Sequence, residues 1–133
     1  MDIEKYYKEQ RSRVWRNYQS KHATFNGRGN FASWYVKKLK EQNCACYYCK
    51  TSIHDINLLI AAGKLKTRKV RGEGKRGPVL EIDKQGETYD EKDCVLACYY
   101  CNNDKSYTTN GDDYGKYFGA NRKRYFDELL KQI

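Results

Sequence analysis

Four cysteines in this 133-residue chain stand at a metal-binding spacing. Cys46-Tyr-Tyr-Cys49 and Cys98-Tyr-Tyr-Cys101 repeat one tetrapeptide across 48 intervening residues. A two-residue gap lets both sulfurs of a turn reach one ion. Two such turns supply the four thiolates of a closed tetrahedral Zn²⁺ site, the structural type with no open coordination position. Closing that ligand set ties two distant turns together and becomes part of the folding free energy. A redox dithiol or buried reduced thiols would use the same residue type, but neither requires the duplicated spacing; an iron–sulfur cluster remains a further option. Cys44 and Cys94 are left over. Cys44 could compete with Cys46 as a ligand, though both spare cysteines read more simply as small buried hydrophobes.

The surroundings of these turns are basic and rich in tyrosine. There are 26 Lys+Arg against 17 Asp+Glu, a formal net charge of +9, and 13 tyrosines. Lys and Arg neutralise phosphates while Tyr offers stacking faces and hydroxyl donors, so the balance suits a polyanion partner. No stretch approaches the roughly 18 apolar residues of a membrane span. The opening MDIEKYYKEQ lacks the apolar region of a signal peptide. We therefore expect a cytoplasmic protein, not secreted and with no membrane partner. Its cysteines would stay reduced there, which again favours metal over disulfides.

The elements that must position the turns follow from periodicity. Ile3, Tyr6, Tyr7, Val14, Trp15 and Tyr18 recur at helical spacing, predicting a basic amphipathic helix over 3–19. The glycines of HATFNGRG mark a loop. Asn30 reads as the N-cap of a second helix, whose stripe is Phe31, Trp34, Tyr35 and Leu39 and which ends before Asn43. Ser52-Ile-His-Asp55 has the capping-box form and opens a third helix, with Ile53, Ile56, Leu59 and Ile60 inward and Gly63 at its C-terminal end. His54, inside that first turn, reads as a surface residue. Seven Lys or Arg then fall between 64 and 76, without helical or strand period: a mobile basic loop or a hairpin arm. Val79–Asp83 alternates like a strand, Gly86 sits in a turn, and Cys94–Ala97 reads as a second strand. A helix begins near Asn102. After a loop at TTNGDD, a last helix over 120–132 would bury Tyr125, Phe126, Leu129 and Leu130.

Three stretches in this order, LEIDK at 80–84, DCVLACYYCN at 93–102 and the NDKS that follows, resemble the HNH endonucleases, whose ββα-metal motif is embedded in a four-cysteine zinc site. The likeness is strongest over 44–110. The aromatic N-terminal helices with a His between them resemble the small HNH restriction and phage-type enzymes. The resemblance implies an α+β fold: a ββα-metal motif stapled by a four-cysteine zinc knuckle and flanked by N- and C-terminal helices. It would form one domain over 1–133, with a helical part at 1–43, the core at 44–110 and a C-terminal helix at 111–133.

It also implies residue roles. Asp83 matches the metal-ligating Asp, and Lys84 stands where the general-base His is usual. Asp93 corresponds to the middle Asn that pins the loop between the strands, and Asn102 to the final metal ligand. An amide oxygen can coordinate Mg²⁺ where an imidazole otherwise would. A lysine ammonium has no lone pair to accept a proton, so Lys84 suits phosphate neutralisation better than the base role. His22, in the loop where the restriction enzymes carry a His, could ligate the metal or take a proton from water. Tyr18 offers a hydroxyl as an alternative proton acceptor. Asp83 and Asn102, with His22, would hold one Mg²⁺ or similar dication over a phosphodiester.

Around that site Arg68, Lys69, Arg71, Lys75, Arg76 and Arg28 are the candidate DNA contacts, the arginines being suited to guanine edges. The expected function is cleavage of double-stranded DNA to 5′-phosphate and 3′-hydroxyl ends, in a monomer or a homodimer. The competing reading is a zinc-dependent DNA- or RNA-binding module without catalysis, favoured by Lys84.

Overall fold

In the computed structural model, which describes residues 1–67, 69–70, 74–75 and 77–133, the first helix starts where a carboxylate can cap it. Asp2 accepts from the Lys5 N–H at 3.1 Å, and α1 runs Ile3–Ser20. Its inward positions, Val14 and Tyr18, are buried among Phe25, Phe31, Trp34 and Tyr35. The Tyr18 ring lies 4.4 Å from Phe31 and 4.7 Å from Trp15, centroid to centroid. The second helix, α2, spans Arg28–Glu41. Asn30 is therefore not its cap. Gly27, at φ 106°, takes the cap position that a side chain would resist. The Asn30 amide instead donates back to the Phe25 carbonyl, closing the loop between the helices.

Helix α3 spans Ile53–Ala61, and the Ser52 hydroxyl accepts from the Asp55 N–H at 3.1 Å, as its capping pattern predicts. Ile53, Ile56 and Leu59 face the core and His54 faces solvent. Gly63, at φ 74°, lets the chain leave in a left-handed turn. Within the basic stretch, β1 (Lys69–Val70) and β2 (Gly74–Lys75) pair antiparallel, Lys69 opposite Lys75. Arg68, Arg71 and Arg76 lie outside the described residues, and only the backbone of Lys69 and Lys75 is placed.

The central hairpin is β3 (Glu81–Lys84) against β4 (Cys94–Ala97), antiparallel, with Ile82 opposite Leu96 and Asp83 opposite Val95. Two amide side chains cover its free edges, which would otherwise expose unpaired backbone groups. Asn17 of α1 accepts from the Ile82 N–H at 3.0 Å. Gln42 accepts from the Leu96 N–H at 3.1 Å and donates to the Leu96 carbonyl at 2.8 Å. The strand begins two residues later than its alternation predicts. The hydroxyl of Tyr35 donates to the Leu80 carbonyl at 2.6 Å, and Asn57 donates to the Pro78 carbonyl at 3.1 Å, so that lead-in is bonded to helices instead.

Helix α4 spans Tyr99–Lys105 and starts three residues earlier than Asn102, because Cys98 itself caps it, its sulfur accepting from the Cys101 N–H. The C-terminal helices also begin early. Asn110 caps α5 (Gly111–Tyr114) by accepting from the Asp113 N–H at 2.9 Å, so TTNGDD is half helix. A π-helical turn over Gly115–Gly119 leads into α6, Ala120–Leu130. Phe126 and Leu129 of α6 are buried, but Tyr125, expected inside, is 51% exposed. The widened turn rotates the helix, and a Cβ at Gly119 would collide with the Tyr48 carbonyl oxygen. No helix among the described residues is long and apolar enough to cross a membrane.

Candidate functional site

The two CYYC turns meet. Cys46, Cys49, Cys98 and Cys101 are all buried, and their sulfurs lie within 4.8 Å of one another. Zn–S bonds of about 2.3 Å give a tetrahedron with edges of about 3.8 Å, so little contraction closes the site on an ion. The turns are built alike: the Cys49 N–H points at the Cys46 sulfur at 3.5 Å and the Cys101 N–H at the Cys98 sulfur at 3.4 Å. Such donors favour thiolates.

Crowding splits the four acidities. Hydrogen bonds from Cys101, Cys46 and Cys98 hold the Cys49 thiol far below its ordinary value. Cys101 is driven up, chiefly by hydrogen bonding with Cys46 and Cys49, and Cys98 by burial. A dication among them would stabilise all four thiolates at once, leaving the site with a net charge of about −2. The donor set fits structural zinc. Cys44 and Cys94 stay outside the cluster; burial pushes the Cys94 thiol up to about 12 and raises that of Cys44, as for inert hydrophobes.

From this staple the second layer of contacts fans out. Tyr48, inside the first turn, donates its hydroxyl to Asp83 Oδ2 at 2.6 Å. Lys105, on α4, places its ammonium 3.2 Å from the same oxygen and donates to the Lys84 carbonyl at 2.9 Å. Asp83 and Lys105 are both 1% exposed. Burial raises the Asp83 carboxyl above its usual range, opposed by the Tyr48 hydroxyl and the Lys105 ammonium. One turn of α4 earlier, Asn102 donates its amide to Glu81 Oε1 at 2.9 Å. The geometry is regular: residues two apart on β3 share a face, and residues three apart on α4 share the face laid against it.

Asp83 and Asn102 thus lie in one β3–α4 interface, each bonded to a different partner. Asn102 opens onto a cleft of about 270 Å³ lined by Lys21, Glu81, Lys84, Tyr89, Asn103, Ser106 and Tyr107 besides itself. Lys21 and Lys84 place their ammoniums 5.8 and 5.2 Å from the centre of the Tyr89 ring. Asp93 pins the loop between β3 and β4, its carboxylate accepting from the N–H groups of Gly86 and Thr88 at 3.1–3.2 Å.

His22 is exposed, in a left-handed backbone position at φ 53°, two residues before Thr24, whose N–H joins the Tyr89 carbonyl at 2.9 Å. His22 is not among the residues that line the cleft; its chain neighbour Lys21 is. Tyr18 does not reach it: the hydroxyl is buried and accepts from the Phe25 N–H at 3.0 Å, so the proton-acceptor role expected of it gives way to a loop-closing one. Arg28 is exposed, its guanidinium 4.6 Å from the Trp15 ring centre.

For a catalytic dication, the oxygen donors at this interface, the carboxylates of Asp83 and Glu81 and the amide of Asn102, have the hard chemistry that Mg²⁺ takes. Among the described residues, however, no second group of three His, Cys, Asp or Glu side chains gathers beside the cysteines. Lys105, Glu81 and Tyr48 are the residues that spacing alone overlooked. The signal was present: Glu81 precedes Asp83 by two on a strand, and Lys105 follows Asn102 by three on a helix. Comparison of the chain with family models, curated proteins and solved structures finds no match.

Proposed function

We propose that this protein is a metal-dependent DNA endonuclease of the HNH type, hydrolysing phosphodiester bonds in double-stranded DNA to leave 5′-phosphate and 3′-hydroxyl ends. One observation carries the reading: the cysteine cluster clamps a hairpin and the helix after it so that Lys84 and Asn102 face an open polar cleft, with Asp83 bonded in the same β3–α4 interface. A divalent cation held by Asp83 and Asn102 would stabilise the charge that develops on the phosphate and the leaving oxygen. The chain's own groups have separable tasks. Lys21 and Lys84 neutralise the phosphate that enters the cleft. The exposed His22 imidazole, next in the chain to Lys21, would take the proton from water. The basic arm around Lys69 and Lys75 follows the neighbouring backbone. As a homodimer, each copy would cut one strand.

A second reading, a DNA- or RNA-binding module without catalysis, is favoured by the Asp83–Lys105 pair, which already matches the carboxylate's charge without a metal. Supercoiled plasmid separates the two. With Mg²⁺, Mn²⁺ or Ni²⁺ the protein should nick or linearise it; Asp83→Ala should abolish cleavage and His22→Ala should reduce it strongly. Binding to a plasmid that stays intact under all three ions would leave the module as the function.

A further inference from the structure

The cleft is small for a helix groove and well furnished for one nucleotide. We infer that it receives a single unpaired nucleotide, its phosphate on Lys21 and Lys84 and its base against Tyr107; this rests on the reading of the chain as a nucleic-acid protein and specifies what enters the site. Tyr107 is 87% exposed, the most exposed of the large hydrophobic side chains among the described residues, yet it lines the cleft with Asn103 and Ser106. An aromatic ring left in water beside a cationic pocket is the arrangement by which single strands are held. Bases stack on the ring while lysines track the backbone.

The backbone is built to hold the ring out. Ser106 sits at φ 49°, ψ −138°, a conformation costly for a residue with a Cβ. It ends α4 one residue before Tyr107. The Ser106 N–H bonds to the Asn102 carbonyl at 2.9 Å, and the buried Lys105 ammonium donates to the Ser106 carbonyl at 3.4 Å. Without that break the helix would carry Tyr107 onward along its own axis. The two ammoniums around Tyr89, which line the same cleft, create its positive end. Asn103, also lining the cleft, offers an amide to base or sugar edges. A paired base within a duplex cannot present its face to Tyr107; an extruded or single-stranded one can.

Fluorescence anisotropy without added divalent cation tests this. The probes are a short fluorescein-labelled oligodeoxynucleotide as a single strand, its perfect duplex, and the same duplex with one unpaired base. The single strand and the interrupted duplex should bind more tightly than the perfect duplex. Tyr107→Ala should weaken those two by roughly tenfold, and Tyr107→Phe should leave them unchanged. Tyr107 packs too little for its removal to disturb the fold, and matching melting curves would verify that. Equal binding of all three probes, an unaffected Tyr107→Ala variant, or no binding at all overturns the inference. Plasmid cleavage surviving alongside such a result would keep the endonuclease reading. A Tyr107-dependent preference in a protein that cuts nothing would do the reverse.

Discussion

The two CYYC turns have one sequence and two fates. Both fold the same way at first. Each second cysteine turns its N–H onto the first sulfur, and in each the residue after the turn bonds back to the first carbonyl, Lys50 to Cys46 and Asn102 to Cys98, both at 2.9 Å. They part at that next residue. Lys50 goes left-handed at φ 62° and Thr51 folds back to the Cys46 N–H, so the first turn closes as a loop. Asn102 stays helical and the second turn becomes the start of α4. The tyrosines diverge accordingly. Tyr48 is buried, with its hydroxyl on Asp83 and its ring edge-on to Tyr114 at 5.2 Å. Tyr100 is half-buried and donates to the Lys66 carbonyl at 2.9 Å. The Cys-Tyr-Tyr-Cys tetrapeptide specifies its own turn, and the neighbours it meets decide what its other side chains do.

In metal binding the turns should be equivalent. Cys49→Ser and Cys101→Ser should each abolish stoichiometric zinc and the cooperative melting transition, since structural zinc contributes on the order of 10 kcal/mol. Chelation of the wild type should match them. A Cys101→Ser protein that keeps wild-type stability would break the assignment of one shared site.

Next in size is the ion pair that the two turns enclose. Asp83→Asn and Lys105→Met should each cost about 3–5 kcal/mol in urea denaturation, because each strands a buried partner, while the double variant should cost much less than the sum. Additive losses would mean that the two groups do not sense each other.

A smaller effect belongs to the first turn alone. Gly119→Ala should cost about 1–3 kcal/mol, as its methyl group would press on the Tyr48 carbonyl. Tyr48→Phe should cost about 1–3 kcal/mol by leaving Asp83 without its donor, and Tyr100→Phe only about 0.5–1 kcal/mol, since its carbonyl partner is reachable by water. Equal losses in the two tyrosine variants would erase the distinction between the turns.

Much of the candidate site was legible before any coordinates. Asp93 was expected to pin the loop between the strands, and its carboxylate does so. Ser52 caps its helix, and Cys94–Ala97 pairs as a strand of that extent. The misplaced elements share a cause. Asn30 has the chemistry of a cap, but Gly27 reaches the required backbone angle at lower cost. Cys98 was counted only as a ligand, although its sulfur also caps a helix. Gly111 fell within an expected loop; it and Gly119 are small because Gln85 and Tyr48 press against them. Tyr18 was read for its hydroxyl, and that hydroxyl is consumed by a backbone N–H seven residues on.

By itself the sequence determined what spacing controls: the four-thiolate ligand set, the order of helices and strands, and a positive surface suited to phosphate. These depend on residue type and on periods of two, three or four, which are local. Only the tertiary structure decided that Asp83 faces Tyr48 and an ammonium rather than solvent, that Glu81 joins Asn102, and that Tyr107 is held in the open. The first of those contacts joins residues 35 positions apart, and such pairings are set by how strands and helices pack, which no local pattern encodes.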